Sequence, residues 1–454
     1  MKRILLLSLL SLVTSALYAS HLRGGVITFE RVSCTSNSIK ITLTVYTNTS
    51  SAVVFGGDGQ LDLGDGSDLV PVPVVAAIPR PDLGLNIGVA VYTYTHTFLT
   101  HGTYLISYIE PNRNGGIVNM TNSFETQFCL KSTLVIGAAC VNSPGPVLAP
   151  VFKAPLGSQF SVSLGSYAPG INEFLTYEKI EPARERNLPV LNYEFPSTFQ
   201  VNRLNGLVTW DTDVQDSPGE YAFAVKISKF ILLNDEFIFM GNVIVDFQVI
   251  LEELTDDNMI HDNQLLDEYN RIEASPDEEK TIRIFYETES ATPALTVYSE
   301  LADDLFSFTQ YDSMHEGRNI TVGVYTVEPD AASLRSQPYL LTVRGKTPGS
   351  PVVSDINYLI YTEDVQEIPV YTDVEKDVAT IQVYPNPFKE HIIIQVNRPG
   401  ISEALIYSMQ GTLVKTKSFE SEIDLPLSGL APGVYLCDVR KNGISVKRIK
   451  LVKT

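Results

Sequence analysis

Cysteine is scarce: four residues, Cys34, Cys129, Cys140 and Cys437, are spread over 454 positions. That is too few to build a fold of this length from disulfides, so buried cores must supply the stability. Positive charge is scarce too. Lys and Arg number 33 against 53 Asp and Glu, a net charge of −20, and this excludes broad nucleic-acid binding, which needs a cationic face to displace counterions. The plain reading of the acidity is solubility. Beyond the first 20 residues no run approaches the roughly 20 apolar residues that a membrane-crossing helix requires. Helical periodicity is nearly absent. The sequence contains no H-E-x-x-H, H-x-H, G-x-S-x-G, Walker or C-x-x-C pattern, so the common metallo-hydrolase, serine-hydrolase, nucleotide and thiol-redox signatures are missing.

What is present begins with MKRILLLSLLSLVTSALYAS. Lys2 and Arg3 form a positive start, Ile4 to Val13 an apolar core, and Ala16 or Ala19 a small-residue cleavage point, the pattern of a secretory signal peptide over residues 1–19. The chain is therefore expected to be exported through the periplasm to the cell surface or the medium. An oxidising compartment permits one bridge among Cys34, Cys129 and Cys140, with the pairing left open; Cys437 lies far away in the last domain.

The dominant period is two. In SIKITLTVYTNT, Ile39, Ile41, Leu43 and Val45 share one face and Lys40, Thr42, Thr44 and Tyr46 the other, the mark of a half-buried strand. YAFAVKIS, TIRIFYE and NITVGVYTV repeat it. Short strands separated by Gly, Pro, Asn and Asp turns predict an all-β chain of tandem Ig-like sandwiches. Composition breaks divide it into residues 20–140, 141–252 and 253–350, a linker at 351–378 and a small last domain at 379–454. The best helix candidate, DDNMIHDNQLLDEYNRI from Asp256, has a weak apolar stripe and reads as an interdomain segment with one short helix.

Residues 20–140 contain LDLGDGS, with Gly64, Asp65 and Gly66 suited to a tight turn, and a later strand carrying His96, Phe98, Gly102 and Tyr104. This pairing resembles a PKD-like domain, an Ig-like sandwich, although Leu61, Asp62 and Leu63 stand where that family has an aromatic pair. The spacing of Asp58, Asp62, Asp65 and Asp68 fits neither an EF-hand nor the calcium-binding nonapeptide. A structural turn is expected and no cofactor, with calcium at this loop as the alternative. His96 and His101, five apart, point to opposite faces of a strand and do not co-ligate.

NRLNGLVTWDTDVQDSPGEYAFAVKIS, through Gly206, Trp210, Gly219 and Tyr221, resembles the closing strands of cadherin-like and Ig-like repeats of bacterial surface proteins. Trp210 shares the face of Val208 and reads as a core anchor. A third Ig-like module closes on YLLTVRG. With SHLRGGVITF, the first two modules resemble surface proteins of gliding Bacteroidetes, which implies adhesion, scaffold or motility roles by analogy. A secreted hydrolase with a carboxylate site and a carbohydrate-binding protein are the rival readings. The surface ligand, protein or glycan, is left open.

The tail carries four elements in order. Pro385, Asn386 and Pro387 form a rigid turn; a hairpin passes through Gly411; Leu430, Pro432, Gly433 and Tyr435 precede a second hairpin at Asn442 and Gly443; Lys447, Lys450 and Leu451 lie on a basic final strand. This order resembles the C-terminal sorting domain of the type IX secretion system. The resemblance implies a compact antiparallel sandwich read by the outer-membrane machinery, removed by a sortase-like protease, with the body joined to anionic lipopolysaccharide. A fourth sandwich capped by solvated lysines is the plainer reading. The basic strand on an acidic cargo also suits steering toward an acidic receptor.

Overall fold

The computed structural model describes residues 22–454 apart from 51–53, 85, 138, 169, 171, 234–235, 254–258, 263–268, 277, 289–292, 316, 364–380, 397–401, 409–411 and 442–443. The expected signal peptide lies outside them. Among the described residues the structure is β throughout except for two single 3-10 turns, Ser123–Glu125 and Ala331–Ser333.

The first sheet runs through strands Val70–Pro71, Gln60–Asp62, Gly102–Glu110, Phe128–Ile136, Glu236–Glu252, Leu22–Arg31, Ser38–Asn48, Ile87–Thr97 and Ile78–Pro79. The alternation in Ser38–Asn48 has the expected outcome: Ile39, Ile41, Leu43 and Val45 are buried, and Ile41 lies between Phe29 and Tyr94. The unexpected member is Glu236–Glu252, which belongs by sequence to the second module. Its start pairs with Phe128–Ile136, its middle with Leu22–Arg31, its whole length with Gly219–Leu233, and its end runs parallel to Val151–Pro155. The boundary expected at residue 140 thus divides the chain without dividing the sheet.

Two glycines make this sharing feasible. Gly24 has φ +152°, and a Cβ there would stand 2.4 Å from the Asp246 carbonyl oxygen; Gly241 has φ +125°, and a Cβ would stand 2.3 Å from that of Thr133. Larger side chains would hold the strands apart. Arg113 then ties the two modules from within. Its Nη1 and Nη2 donate to Asp246 Oδ1 and Oδ2 at 2.9 and 2.5 Å, Nη2 also reaches the Ala183 carbonyl at 3.0 Å, and the guanidinium lies over Phe128. The two side chains are 1% and 2% exposed. Outside the sheet, the 139–143 joint lies along the first strand: Ser143 exchanges hydrogen bonds with the Phe29 backbone, and Cys34 is bonded to Cys140. Cys129 is buried and free.

The second core is built on Trp210, fully buried with Val208 and set 4.9 and 5.6 Å from the rings of Tyr221 and Phe223. The third module is two four-stranded sheets. One consists of Met259–Asp262, Lys280–Thr288, Arg318–Val327 and Phe306–His315, the other of Arg271–Glu273, Val353–Tyr361, Tyr339–Lys346 and Ala294–Ser299. Two expectations need correction here. Met259–Asp262, inside the segment read as interdomain with one short helix, is a strand paired with Lys280–Thr288; residues 256–258 and 263–268 of that segment lie outside the described residues. Val353–Tyr361, assigned to the 351–378 linker, is a central strand between Tyr339–Lys346 and Arg271–Glu273, so Tyr339–Lys346 does not close the module. Its Ser354, Asp355 and Asn357 hid its nature; all three are polar yet buried, and Asp355 and Asn357 serve the second module. Asp355 Oδ2 accepts from the Ser163 amide at 2.7 Å while Arg344 holds the same carboxylate through two 2.7 Å contacts, and Asn357 Nδ2 donates to the Asn205 carbonyl at 2.7 Å. The rest of that linker, 364–378, lies outside the described residues.

The last domain packs Ile381–Tyr384, His391–Val396 and Glu422–Pro426 against Ser402–Ser408, Leu413–Phe419, Gly433–Lys441 and Ile444–Lys453. One corner recurs in three modules. Tyr104, Tyr221 and Tyr435 each follow a glycine by two residues and donate their hydroxyl to the carbonyl four residues upstream, of Thr100, Ser217 and Ala431, at 2.7, 2.9 and 2.9 Å, as the tyrosine corners of Ig-like sandwiches do.

Asp246→Ala is expected to destabilise the body by about 3–5 kcal/mol, because it strands the buried Arg113 charge. Urea unfolding monitored by Trp210 fluorescence measures this.

Candidate functional site

Pro385–Asn386–Pro387, the stretch from Gly433 to Tyr435 and the final strand meet at one edge of the last domain. Proline lacks an N–H, so the Pro385–Asn386–Pro387 stretch cannot pair as a strand. Asn386 substitutes with its side chain: Nδ2 donates to the Lys450 carbonyl at 2.7 Å and Oδ1 accepts from the Val452 amide at 2.9 Å. Beyond it the Phe388 amide donates to the Val452 carbonyl at 2.8 Å, the Thr454 amide to the Phe388 carbonyl at 3.0 Å, and Lys453 Nζ to the Lys389 carbonyl. The peptide bonds preceding Pro385 and Pro387 are both cis. Residues 386–388 thus form a strap along the outer edge of Ile444–Lys453, with Phe388 buried beneath it.

Leu451 is fully buried opposite Tyr435, Leu430 packs on the same core, Pro432 is exposed, and Lys450 is exposed opposite Leu436. Gly433 pairs with Lys453 and Lys447 with Val439; the Lys447 side chain and Gly411 lie outside the described residues. Sequence reading named Pro385–Asn386–Pro387 and the final lysines separately but not their contact. An asparagine held between two prolines was the available signal. Cys437 is buried in this core, and burial pushes its thiol up to about 12, so it acts as a small apolar residue.

The GDG loop and the later strand also converge. Asp62 Oδ1 accepts from the Gly64 amide at 2.8 Å, and Asp65 Oδ1 accepts from the Ser67 amide and hydroxyl at 3.0 and 2.6 Å. Gly64 and Gly66 take φ +78° and +83°. Asp65 Oδ2 lies 2.7 Å from His96 Nε2, the His96 ring meets Phe98 edge-on at 4.8 Å, and Phe98 lies 4.4 Å from Tyr104. Gly102 is buried opposite Ile136, and His101 is exposed in the turn. Burial pushes the Asp65 carboxyl up, but the Ser67 hydroxyl and amide and then His96 outweigh it, leaving it below its usual value of 3.8.

Beside this loop an open depression of about 460 Å³ is lined by Asp58, Gln60, Asp62, Ser107, Gln127 and Arg186, among others. Asp62 is committed there, with Oδ2 at 2.5 Å from Arg186 Nη1. The depression can hold a polar group. Among the described residues no three His, Cys, Asp or Glu side chains converge as a metal set, and no helix is long and apolar enough to cross a membrane. Among the described residues the aromatics most open to solvent, Phe124, Tyr311 and Tyr384, belong to three different modules.

Residues 382–454 match the secretion system C-terminal sorting domain family. Such a type IX sorting domain directs export to the cell surface or the medium and engages the type IX machinery. No curated protein matches the sequence. Among solved structures, zebrafish RET cadherin-like domains 1 to 4 align at 9% identity over 89% of this chain and 93% of that chain, with a TM-score of 0.18. Drosophila N-cadherin EC1-4 aligns at 13% over 89% and 95%, TM-score 0.18, and the mouse nectin-like molecule 4 ectodomain at 13% over 67% and 97%, TM-score 0.18. Likenesses at these scores add no argument; the β architecture stands on the sheets described above.

The sorting domain differs in charge from its cargo. Residues 382–454 hold 10 Lys and Arg against 6 Asp and Glu, a net +4, in a chain of net −20. Its basic strand is also the strand that Asn386 straps down.

Asn386→Ala is expected to loosen that strand, lowering stability by about 1 kcal/mol and speeding hydrogen exchange at the Val452 amide, measured by exchange mass spectrometry on the terminal peptide. For Asp65, a depressed folded pKa means that the unfolded chain binds more protons, so its contribution is complete above pH 3.8 and lost as pH falls through the folded value. Asp65→Asn should flatten the stability curve in that acid range, read by urea midpoints from pH 5 downward.

Proposed function

We propose that the body is a non-catalytic adhesive or scaffolding arm, displayed outside the cell once the sorting domain has delivered it, and serving surface attachment or gliding. One observation carries the reading. Three sandwiches are locked in series, the first two by the shared strand Glu236–Glu252 and the third by the Asp355 contacts. A body stiffened in this way suits transmission of load between an anchor and a surface partner. Removal of the sorting domain by a sortase-like protease and attachment of the body to anionic lipopolysaccharide complete the proposal. The ligand is a protein or glycan outside the cell, and the arm needs no metal or cofactor.

The test compares cells carrying the full chain with cells in which residues 22–362 are deleted and the signal and sorting segments kept. Attachment to a solid surface, or spreading over it, should fall several-fold in the deletion strain, while the purified full chain leaves a panel of polysaccharides intact. Unchanged attachment, or depolymerisation that Asp58→Asn abolishes, would overturn the reading in favour of a hydrolase.

A further inference from the structure

Among the described residues the sorting domain has four sheet edges; one is covered, and two are short and run into or end at proline. Ile381–Tyr384 runs directly into Pro385, which has no N–H to offer. Glu422–Pro426 ends on proline and carries Glu422 and Asp424. Ile444–Lys453 is covered by the 386–388 strap. The fourth edge, Leu413–Phe419, pairs among the described residues only with Ser402–Ser408. It contains no proline and no acidic residue, and its first six side chains, Leu413 to Ser418, are all exposed. Lys417 and Lys415 stand opposite Ala404 and Ile406, so both point to the inner face of their sheet, where the facing three-stranded sheet leaves them open to solvent. Leu413 and Val414 are 47% and 37% exposed.

An unpaired edge displays a row of backbone donors and acceptors and is a template for strand addition. The two lysines select the occupant by charge: a cationic edge admits an acidic strand and repels a basic one. We propose that Leu413–Phe419 is the docking edge of the sorting domain, and that it takes up an extended acidic strand of an outer-membrane component of the export machinery. The strap on the opposite edge then has a purpose, since it leaves this sheet with one edge for pairing. The proposal rests on the sorting assignment and adds to it the face that is read.

The experiment uses the full chain in cells that export it. Lys415→Glu with Lys417→Glu should reduce the surface pool about tenfold and leave soluble, full-length protein of unchanged melting temperature in the periplasm, while Lys389→Glu beside the strap, an exposed position outside the sorting motif, keeps the normal surface level. A photo-cross-linking residue at Thr416 should trap an outer-membrane protein, and one at Lys389 should not. Normal export of the double variant, or adducts from Lys389 with none from Thr416, overturns the proposal; if the double variant does not fold, the cross-linking result decides alone. Insoluble aggregates of a folded variant would mean that the lysines only guard the edge against other copies, which also overturns it. Deletion of residues 382–454 separates the two levels: unchanged export after deletion removes the sorting assignment itself, whereas lost export alongside normal export of the edge variants removes this proposal alone.

Discussion

The body depends on one ion pair sealed inside a sheet. A lone charge in that position would be strongly destabilising, and the Arg113–Asp246 pair is tolerated because each charge is met by the other in a two-pronged geometry and Nη2 also reaches the Ala183 carbonyl, with Nε alone left unpaired. Arg113 comes from the first module, and Asp246 from the strand that the second module contributes to the common sheet. Neither segment can leave the other without exposing an unpaired charge to an apolar interior. The same logic recurs at Asp355, where Arg344 neutralises the carboxylate and Ser163 of the preceding module uses it as an acceptor. Buried aspartates on core strands, each held by an arginine, are how this acidic chain joins its modules.

Much of the architecture was readable from alternation, because a strand with one face in a core and one in water must write its period into the sequence. Ser38–Asn48 did so, and Trp210 fell on the buried face that Val208 marks. Gly219–Leu233 was legible as a strand but not as a strand buried on both faces: Lys226 and Ser228 are 5% and 4% exposed, and Lys226 pairs with Glu178. Val353–Tyr361 was lost for the same reason. Once a strand's outer face is covered by another module, polar residues there are satisfied by that module and the pattern no longer distinguishes strand from linker. The shared sheet was invisible because pairing between residues 22–31 and 236–252 leaves no local trace beyond Gly24 and Gly25.

At the tail the situation is reversed. The motif order was plain in the sequence, whereas its physical sense lay in contacts some 64 residues apart, from Asn386 to Lys450. A side-chain amide completes a ladder that two prolines interrupt, so the domain closes one edge with its own entry segment. The cargo is acidic and jointed by buried pairs; its label is basic, compact and asymmetric at its edges.

The most direct measurement of the central claim is native-state hydrogen exchange across the first two modules. If Arg113, Asp246 and the common strand make them one unit, the amides of Leu22–Arg31 and those of Glu236–Glu252 will exchange with the same opening free energy and respond alike to added denaturant. Early, independent opening of Leu22–Arg31 while Gly219–Glu252 stays protected would show two bodies merely in contact, and would contradict the account.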